Sequence, residues 1–289
     1  MTAAPTEPRT TAIDLPATAT RDLTLLVLLA DTPIPPVVKQ FGTYHDIFTG
    51  LWQRAVRLAA TEDGAEPAKE GSGRTITIES YDVVQGKFPS AERVKEADGL
   101  LITGSASSAY DDDPWIVDLV SFVSRLPTLN ASIKLIGICF GHQIIARANG
   151  GVCERSAKGW EIGTRRIELT QRGKQLFEGR ERINIHQMHR DHVPSVPEGF
   201  ELLGSTSDCD VHGFVRFVDE SAPHTPENIA VVTLQGHPEF NSTIVNEVID
   251  MRESKGVISH ELAEESREYA GQHDDGDWIG RVLLRMFGV

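Results

Sequence analysis

Four apolar runs constrain the fold of this chain more than any other feature: LTLLVLLA from Leu23, GLLITGS from Gly99, IKLIGI from Ile133 and IAVVTLQ from Ile229. Each is of strand length and apolar at consecutive positions, the pattern of a parallel strand covered on both faces. The segments between them carry the helical period. In TYHDIFTGLWQRAVRLA, residues Tyr44, Ile47, Phe48, Leu51, Ala55 and Leu58 recur at three- and four-residue steps, which predicts an amphipathic helix. SAERVKEA reads as a short helix opened by Ser90, and PWIVDLVSFVSRL as a helix with Pro114 in its first turn. TITIESYDV alternates as a strand does. Strands alternating with helices predict a three-layer α/β/α sandwich around a mostly parallel central sheet.

The 289 residues suffice for one large α/β domain. Residues 1–22, rich in Thr, Ala and Pro and without the apolar core of a secretory signal, read as a flexible tail. The single domain is expected over 23–289, with the polar, Gly-rich stretch 61–74 as a surface loop insertion. The region 152–218 looks richer in strands, and two or three helices are expected after it, including STIVNEVIDMRE and WIGRVLLRMF.

A formal charge of −14 disfavours a protein that lies along nucleic-acid phosphates, and no apolar run is long enough for a membrane helix. A small-molecule or protein partner fits better. Three cysteines, Cys139, Cys153 and Cys209, show no paired spacing. That argues against a secreted disulfide framework and for a reducing compartment, the cytoplasm.

IKLIGI delivers the chain to Cys139 within GICFGHQ, and a helix follows at once. Open α/β sheets place their sites at the carboxyl ends of strands. Gly137 and Gly141 supply the small neighbours that a sharp strand-turn-helix needs, as in a nucleophile elbow. A helix amino terminus there favours the thiolate; the bland alternative is a buried structural cysteine. A nucleophile needs a base and the base an orienter. GHPEF offers His237 after an apolar strand, with Glu239 two residues on and returned to the same side.

The pairing of GICFGHQ with a downstream GHPEF, each directly after a predicted strand, resembles the class I glutamine amidotransferase family. LLITGSASSAYDDDPWI occupies the place of that family's oxyanion strand, and HQMHRDHV resembles its Ser-His-Gly-Asp segment. Together with SAKGWEIG these features resemble most the γ-glutamyl peptidase branch and its fungal relatives, over roughly Leu23 to Asp250. The resemblance implies a flavodoxin-like domain with a Cys-His-Glu triad: Cys139 as nucleophile, His237 as base and later acid, Glu239 as orienter. It also implies an oxyanion hole from the Phe140 N–H and one from the Gly104–Ser105 turn. Gln143 matches the substrate-side Gln, His189 and Asp191 the residues that read the amino-acid end of glutamine, and Trp160 either packs under a loop or lines the pocket. The chain departs from the pattern in Thr-Gly-Ser for Ser-Gly-Gly-Pro, and in Arg190 where the family has Gly. The expected activity is cysteine-dependent hydrolysis of γ-glutamyl amide bonds, in glutamine or γ-glutamyl peptides, with no cofactor.

Other readings remain beside it. An α/β-hydrolase of the dienelactone type shares G-x-C-x-G, but its chain order is nucleophile, acid, histidine, whereas His237 precedes Glu239. His186, His189 and His192 fall at three-residue steps that alternate between strand faces, with no Cys or carboxylate set completing a zinc pattern, so no metal is expected. The chain has no P-loop or other acceptor-activating motif. This leaves a glutaminase subunit that feeds ammonia to a separate synthetase partner, or a non-catalytic regulatory relative, as the competing functions.

Overall fold

The computed structural model describes residues 7–62 and 73–289. The chain runs β1 (Arg9–Asp14), β2 (Leu23–Leu29), α1 (Pro35–Phe41), α2 (Tyr44–Glu62), β3 (Thr75–Asp82), α3 (Ala91–Glu96), β4 (Gly99–Ile102), α4 (Pro114–Leu129), β5 (Lys134–Ile138) and α5 (Phe140–Ala148). It continues through β6 (Glu154–Arg155), β7 (Glu161–Leu169), α6 (Gln171–Leu176), β8 (Arg182–His189), β9 (Asp191–His192), β10 (Glu201–Leu202), β11 (Gly204–Ser205) and β12 (Phe214–Phe217). The last elements are β13 (Ile229–Leu234), α7 (Ser242–Ser254), α8 (His260–Ala270) and α9 (Gly276–Leu284).

The main sheet has the order β1-β3-β2-β4-β5-β13-β12-β10. Its five central strands β3, β2, β4, β5 and β13 are parallel, and antiparallel strands flank them at both edges. The consecutive apolar residues of β2 serve two cores at once: Leu25 and Val27 face the core built with α2 and α9, Leu26 and Leu28 the one built with α4 and α5. That is the strand period of two with both faces covered, and it makes the predicted three-layer α/β/α sandwich. Ser90 caps α3 by accepting from the Arg93 N–H, and Pro114 opens α4. Among the described residues no helix is long and apolar enough to cross a membrane.

The stretch 1–22 expected as a flexible tail is corrected over residues 9–15. Residues Arg9–Asp14 pair antiparallel with β3 from Arg9↔Ser80 to Asp14↔Thr75, and Leu15 is fully buried. An otherwise open edge of β3 supplies the backbone partners, and Ile13 and Leu15 anchor the strand in the core. The loop insertion expected over 61–74 falls largely outside the described residues. In the region expected to be β-rich, β7, β8 and β11 form a small separate sheet.

Chain order reverses at β2, whose neighbours β3 and β4 lie on opposite sides. Such a switch point opens a crevice outside the carboxyl ends of the strands. The loops after β2, β4, β5 and β13 bring Asp31, Ser105, Cys139 and His237 to one pocket there.

Candidate active site

Cys139 joins β5 to α5 with φ 52° and ψ −103°, a conformation that L residues adopt only under constraint. Its own N–H bonds the Leu234 carbonyl of β13 at 2.8 Å, and its carbonyl accepts from Gln143 N–H at 3.1 Å. A Cβ at Gly141 would collide with the Ile102 carbonyl, so only glycine lets α5 start this close to β4. The sulfur sits at the helix amino terminus, where unsatisfied N–H groups stabilise negative charge.

His237 follows β13. Its backbone N–H bonds the His186 carbonyl at 2.8 Å, and its ring stacks on Phe240 with centroids 4.1 Å apart and planes at 6°. Nδ1 lies 2.8 Å from Oε1 of Glu239, whose side chain is fully buried. A carboxylate accepts there, so Nδ1 carries the proton and Nε2 is left for chemistry. Burial pulls the imidazole pKa down, but the charges of Glu239 and Cys139, and its hydrogen bonds with both, outweigh that and push it up to about 10. His237 is therefore held as imidazolium beside the cysteine at neutral pH, above the ordinary range near neutrality. The other two cysteines are buried, and burial raises their thiols, that of Cys209 to about 12. Neither is activated.

The Gly104–Ser105 turn follows β4. A Cβ at Gly104 would lie 2.8 Å from His237 Cε1, so the turn touches the imidazole. Thr103 Oγ1 donates to the Gly104 carbonyl at 3.1 Å and accepts from Ala30 N–H at 3.0 Å, which fixes the peptide that carries the Ser105 N–H. Asp31, directly after β2, accepts from the Ala106 N–H at 2.7 Å and ties the same turn to the neighbouring loop. Phe140 is the first residue of α5 and is buried.

Two lobes meet at Cys139. The polar lobe is lined by Gln143, Trp160, His189, Asp191 and Arg252 among others. The apolar lobe is lined by Ile34, Val37, Tyr44, Phe240, Ile244 and Val248 among others, together with Cys139 and His237. The four residues expected at the substrate thus gather on one side of the sulfur, in different situations. Asp191 keeps its carboxylate at the lobe, with Oδ2 accepting from Ser108 at 2.6 Å. Gln143 spends its amide N–H groups on the Asp191 carbonyl and on Gln235 Oε1, at 3.0 and 3.1 Å. Both ring nitrogens of His189 face protein oxygens, Nδ1 the Asp191 carbonyl at 3.1 Å and Nε2 the Glu161 carboxylate at 3.0 Å. The ring of Trp160 lies under the Arg252 guanidinium at 4.5 Å.

Sequence reasoning missed three residues. Gln235 Nε2 lies 3.5 Å from the Cys139 sulfur; its signal was its place at the end of the β13 run, two residues before His237. Asp31 carried the same kind of signal at the end of β2. Arg252 had none, because α7 brings it in from a remote stretch. It lines both lobes, its Nε has no hydrogen-bond partner among the described residues, and burial lowers its pKa. A desolvated cation of this kind invites an anion. The histidine triplet is dispersed: His186 meets Thr164 and Asp274, and His192 faces Glu154.

Residues 73–250 match the family described as glutamine amidotransferase class-I. A glutamine amidotransferase-like protein of Schizosaccharomyces pombe is 34% identical over 266 residues, covering 91% of this chain and 98% of that one. Gamma-glutamyl peptidase 2 of Arabidopsis thaliana is 33% identical over 65% of this chain and 72% of its own. In fold, the chain resembles a glutamine amidotransferase from Thermotoga maritima, with a TM-score of 0.60 at 18% identity over 92% of this chain and 97% of that one. With a family match over more than half its length and a relative aligned nearly end to end, the chain belongs to the class-I glutamine amidotransferase family.

Proposed function

We propose that the protein is a cysteine-dependent amidohydrolase that cleaves γ-glutamyl amide bonds through a γ-glutamyl thioester on Cys139. The observation that carries this reading is the buried Cys139–His237–Glu239 arrangement on a strained strand-helix turn, with His237 Nδ1 2.8 Å from Glu239. The thiolate attacks the γ-carbonyl carbon, and the oxyanion is met by the N–H groups of Phe140 and of the Gly104–Ser105 turn. His237 then gives its Nε2 proton to the leaving nitrogen as the C–N bond breaks, leaving the thioester. Water attacks the thioester, His237 takes one of its protons, and the thiolate is restored as the γ-carboxylic acid departs and loses its remaining proton to solvent.

The two lobes support a reading of where the substrate's two ends lie. Asp191 suits an α-ammonium and Arg252 a carboxylate, with Trp160 beneath it and Gln143 holding the Asp191 backbone. His189 acts through the Asp191 carbonyl rather than by touching substrate. The apolar lobe on the other side of the sulfur favours a leaving group larger than ammonia, which supports a γ-glutamyl peptide or conjugate over glutamine. The name of the Arabidopsis relative points the same way.

The test is an assay of the purified chain on glutamine, glutathione and a γ-glutamyl-cysteine conjugate, with Cys139→Ser as control. Turnover of the γ-glutamyl peptides by the chain alone, absent in Cys139→Ser, is the expected result. Silence on all three that is relieved only by a second protein would replace this reading with a glutaminase subunit serving a synthetase partner. Equal turnover by Cys139→Ser would remove the cysteine from the chemistry.

A further inference from the structure

Beside the polar lobe lies a buried set of side chains of which the hydrolytic scheme uses only His189, and that through its contact with the Asp191 carbonyl. Glu161 opens β7, His189 ends β8, and Cys209 and His212 stand in the turn between β11 and β12. One donor atom from each lies within 4.8 Å of the donor atoms of the other three, and all four residues are buried. Glu161 Oε2 is 3.0 Å from His189 Nε2 and 3.0 Å from His212 Nε2. Tetrahedral ligands about 2.0–2.3 Å from a zinc ion lie roughly 3.3–3.6 Å apart, so small shifts bring these atoms onto one ion.

The directions matter more than the distances. Among the described residues neither Glu161 Oε2 nor His189 Nε2 has a hydrogen-bond partner, although they are 3.0 Å apart. The Asp191 carbonyl facing His189 Nδ1 can only accept, so the proton belongs on Nδ1 and Nε2 presents a lone pair to the carboxylate. Two lone pairs held face to face in a buried place repel, and a cation shared by both relieves that repulsion. A second imidazole proton would supply the charge but not the direction, since the Nε2 position does not aim a hydrogen at the oxygen. The surroundings are those of supported ligands. Thr206 Oγ1 donates to Glu161 Oε1 at 2.7 Å, and it accepts from the N–H groups of Asp208 and Cys209 at 3.2 and 3.0 Å, shaping the turn that carries the thiol. Among the described residues His212 Nδ1 has no acceptor, whereas its Nε2 also lies 3.2 Å from Thr206 Oγ1, so the ring is fixed from one side only.

We propose that Glu161, His189, Cys209 and His212 form a zinc site that fastens the turn between β11 and β12 to β7 and β8. Two imidazoles, a thiolate and a carboxylate make a closed set of four, which suits zinc and leaves no position for a substrate. Its role is structural. Binding releases the Cys209 thiol proton to solvent as the sulfur–metal bond forms. Because His189 also holds the Asp191 carbonyl, the ion would stiffen the wall of the polar lobe as well.

The test uses the full chain carrying Cys139→Ser, so that the active-site sulfur cannot act as ligand. The protein is purified free of metal-affinity tags and chelators, and its metal content is measured. It is then stripped and reloaded with zinc or with cobalt(II). We expect one zinc per chain, a rise in melting temperature of the stripped protein on adding zinc, and a cobalt form with thiolate-to-metal charge transfer and tetrahedral ligand-field bands. Adding Cys209→Ala should abolish the charge-transfer band. Adding His212→Ala should weaken zinc by more than the roughly 10–100-fold that loss of a supporting partner costs. Absence of stoichiometric zinc before and after reloading would overturn the site, as would a cobalt spectrum that survives Cys209→Ala. If Cys209→Ala does not fold, the reloaded parent decides the matter: binding without a thiolate band counts against the proposal.

Discussion

Replacing Glu239 by Gln removes a charge while keeping an acceptor oxygen for His237 Nδ1. The carboxylate oxygen is 2.8 Å from Nδ1, which puts the two charge centres about 4 Å apart. At an effective dielectric of about 20, that attraction is roughly 4 kcal/mol. At about 1.36 kcal/mol per pKa unit it corresponds to roughly 3 units. Burial pulls the imidazole down, and the Glu239 charge does most to raise it toward about 10. Loss of the anion favours the neutral ring, so the pKa falls. His237 must hold its proton to give it to the leaving nitrogen, and kcat/KM should therefore fall as pH rises through the upper pKa of the Cys139–His237 pair. In the parent this alkaline limb should lie near pH 10; in Glu239→Gln it should move to about 7. The assay is kcat/KM for a γ-glutamyl dipeptide between pH 5 and 11, in buffers of constant ionic strength, with circular dichroism to certify the fold. A limb that stays in place while the plateau drops would refute the electrostatic argument and reduce Glu239 to an orienter. A parent profile that only rises through the ordinary histidine value of about 6.5 would refute the imidazolium itself.

Three further outcomes follow from the geometry. Asp191→Ala leaves the backbone carbonyl that Gln143 and His189 hold, and removes only the carboxylate. KM for γ-glutamyl substrates should rise roughly 10- to 100-fold with kcat little changed, the cost of one charge-assisted hydrogen bond. Arg252→Met keeps most of the side-chain length over Trp160 but not the charge; it should raise KM for substrates with a free carboxylate and spare their esters, as steady-state kinetics on both would reveal. Gly141→Ala drives a methyl group into the Ile102 carbonyl, so denaturant unfolding should show a loss of about 1–3 kcal/mol, and activity should fall further because the cysteine turn shifts.

The parts of the fold that the sequence made legible are those whose burial is written in consecutive residues. LTLLVLLA feeds two cores, and its run therefore has no polar gap to hide it. RTTAID was not legible as β1: its outer positions face solvent, only Ile13 and Leu15 enter the core, and its pairing depends on the free edge of β3 far along the chain. The cysteine turn and the His-Pro-Glu were readable because local backbone demands fix their neighbours, Gly141 most plainly. Arg252 was not readable, because a basic residue in the last turn of a helix is ordinary until α7 is packed beside the sulfur. Long separation also hid the Glu161, His189, Cys209 and His212 set, whose members come from two strands and a turn. Of the three histidines at three-residue steps only His189 belongs to this set, while His186 and His192 have other partners.

The central claim is a covalent γ-glutamyl group on one sulfur, and intact-protein and peptide mass spectrometry test it most directly. The protein is mixed with a γ-glutamyl peptide, quenched in acid within one turnover, digested and sequenced. A parallel sample is treated with a glutamine-mimicking electrophile. The account predicts a γ-glutamyl adduct and the electrophile on the peptide containing Cys139, and neither in Cys139→Ser. Modification at Cys153 or Cys209, or turnover with no adduct on any cysteine under acid quench, would contradict it.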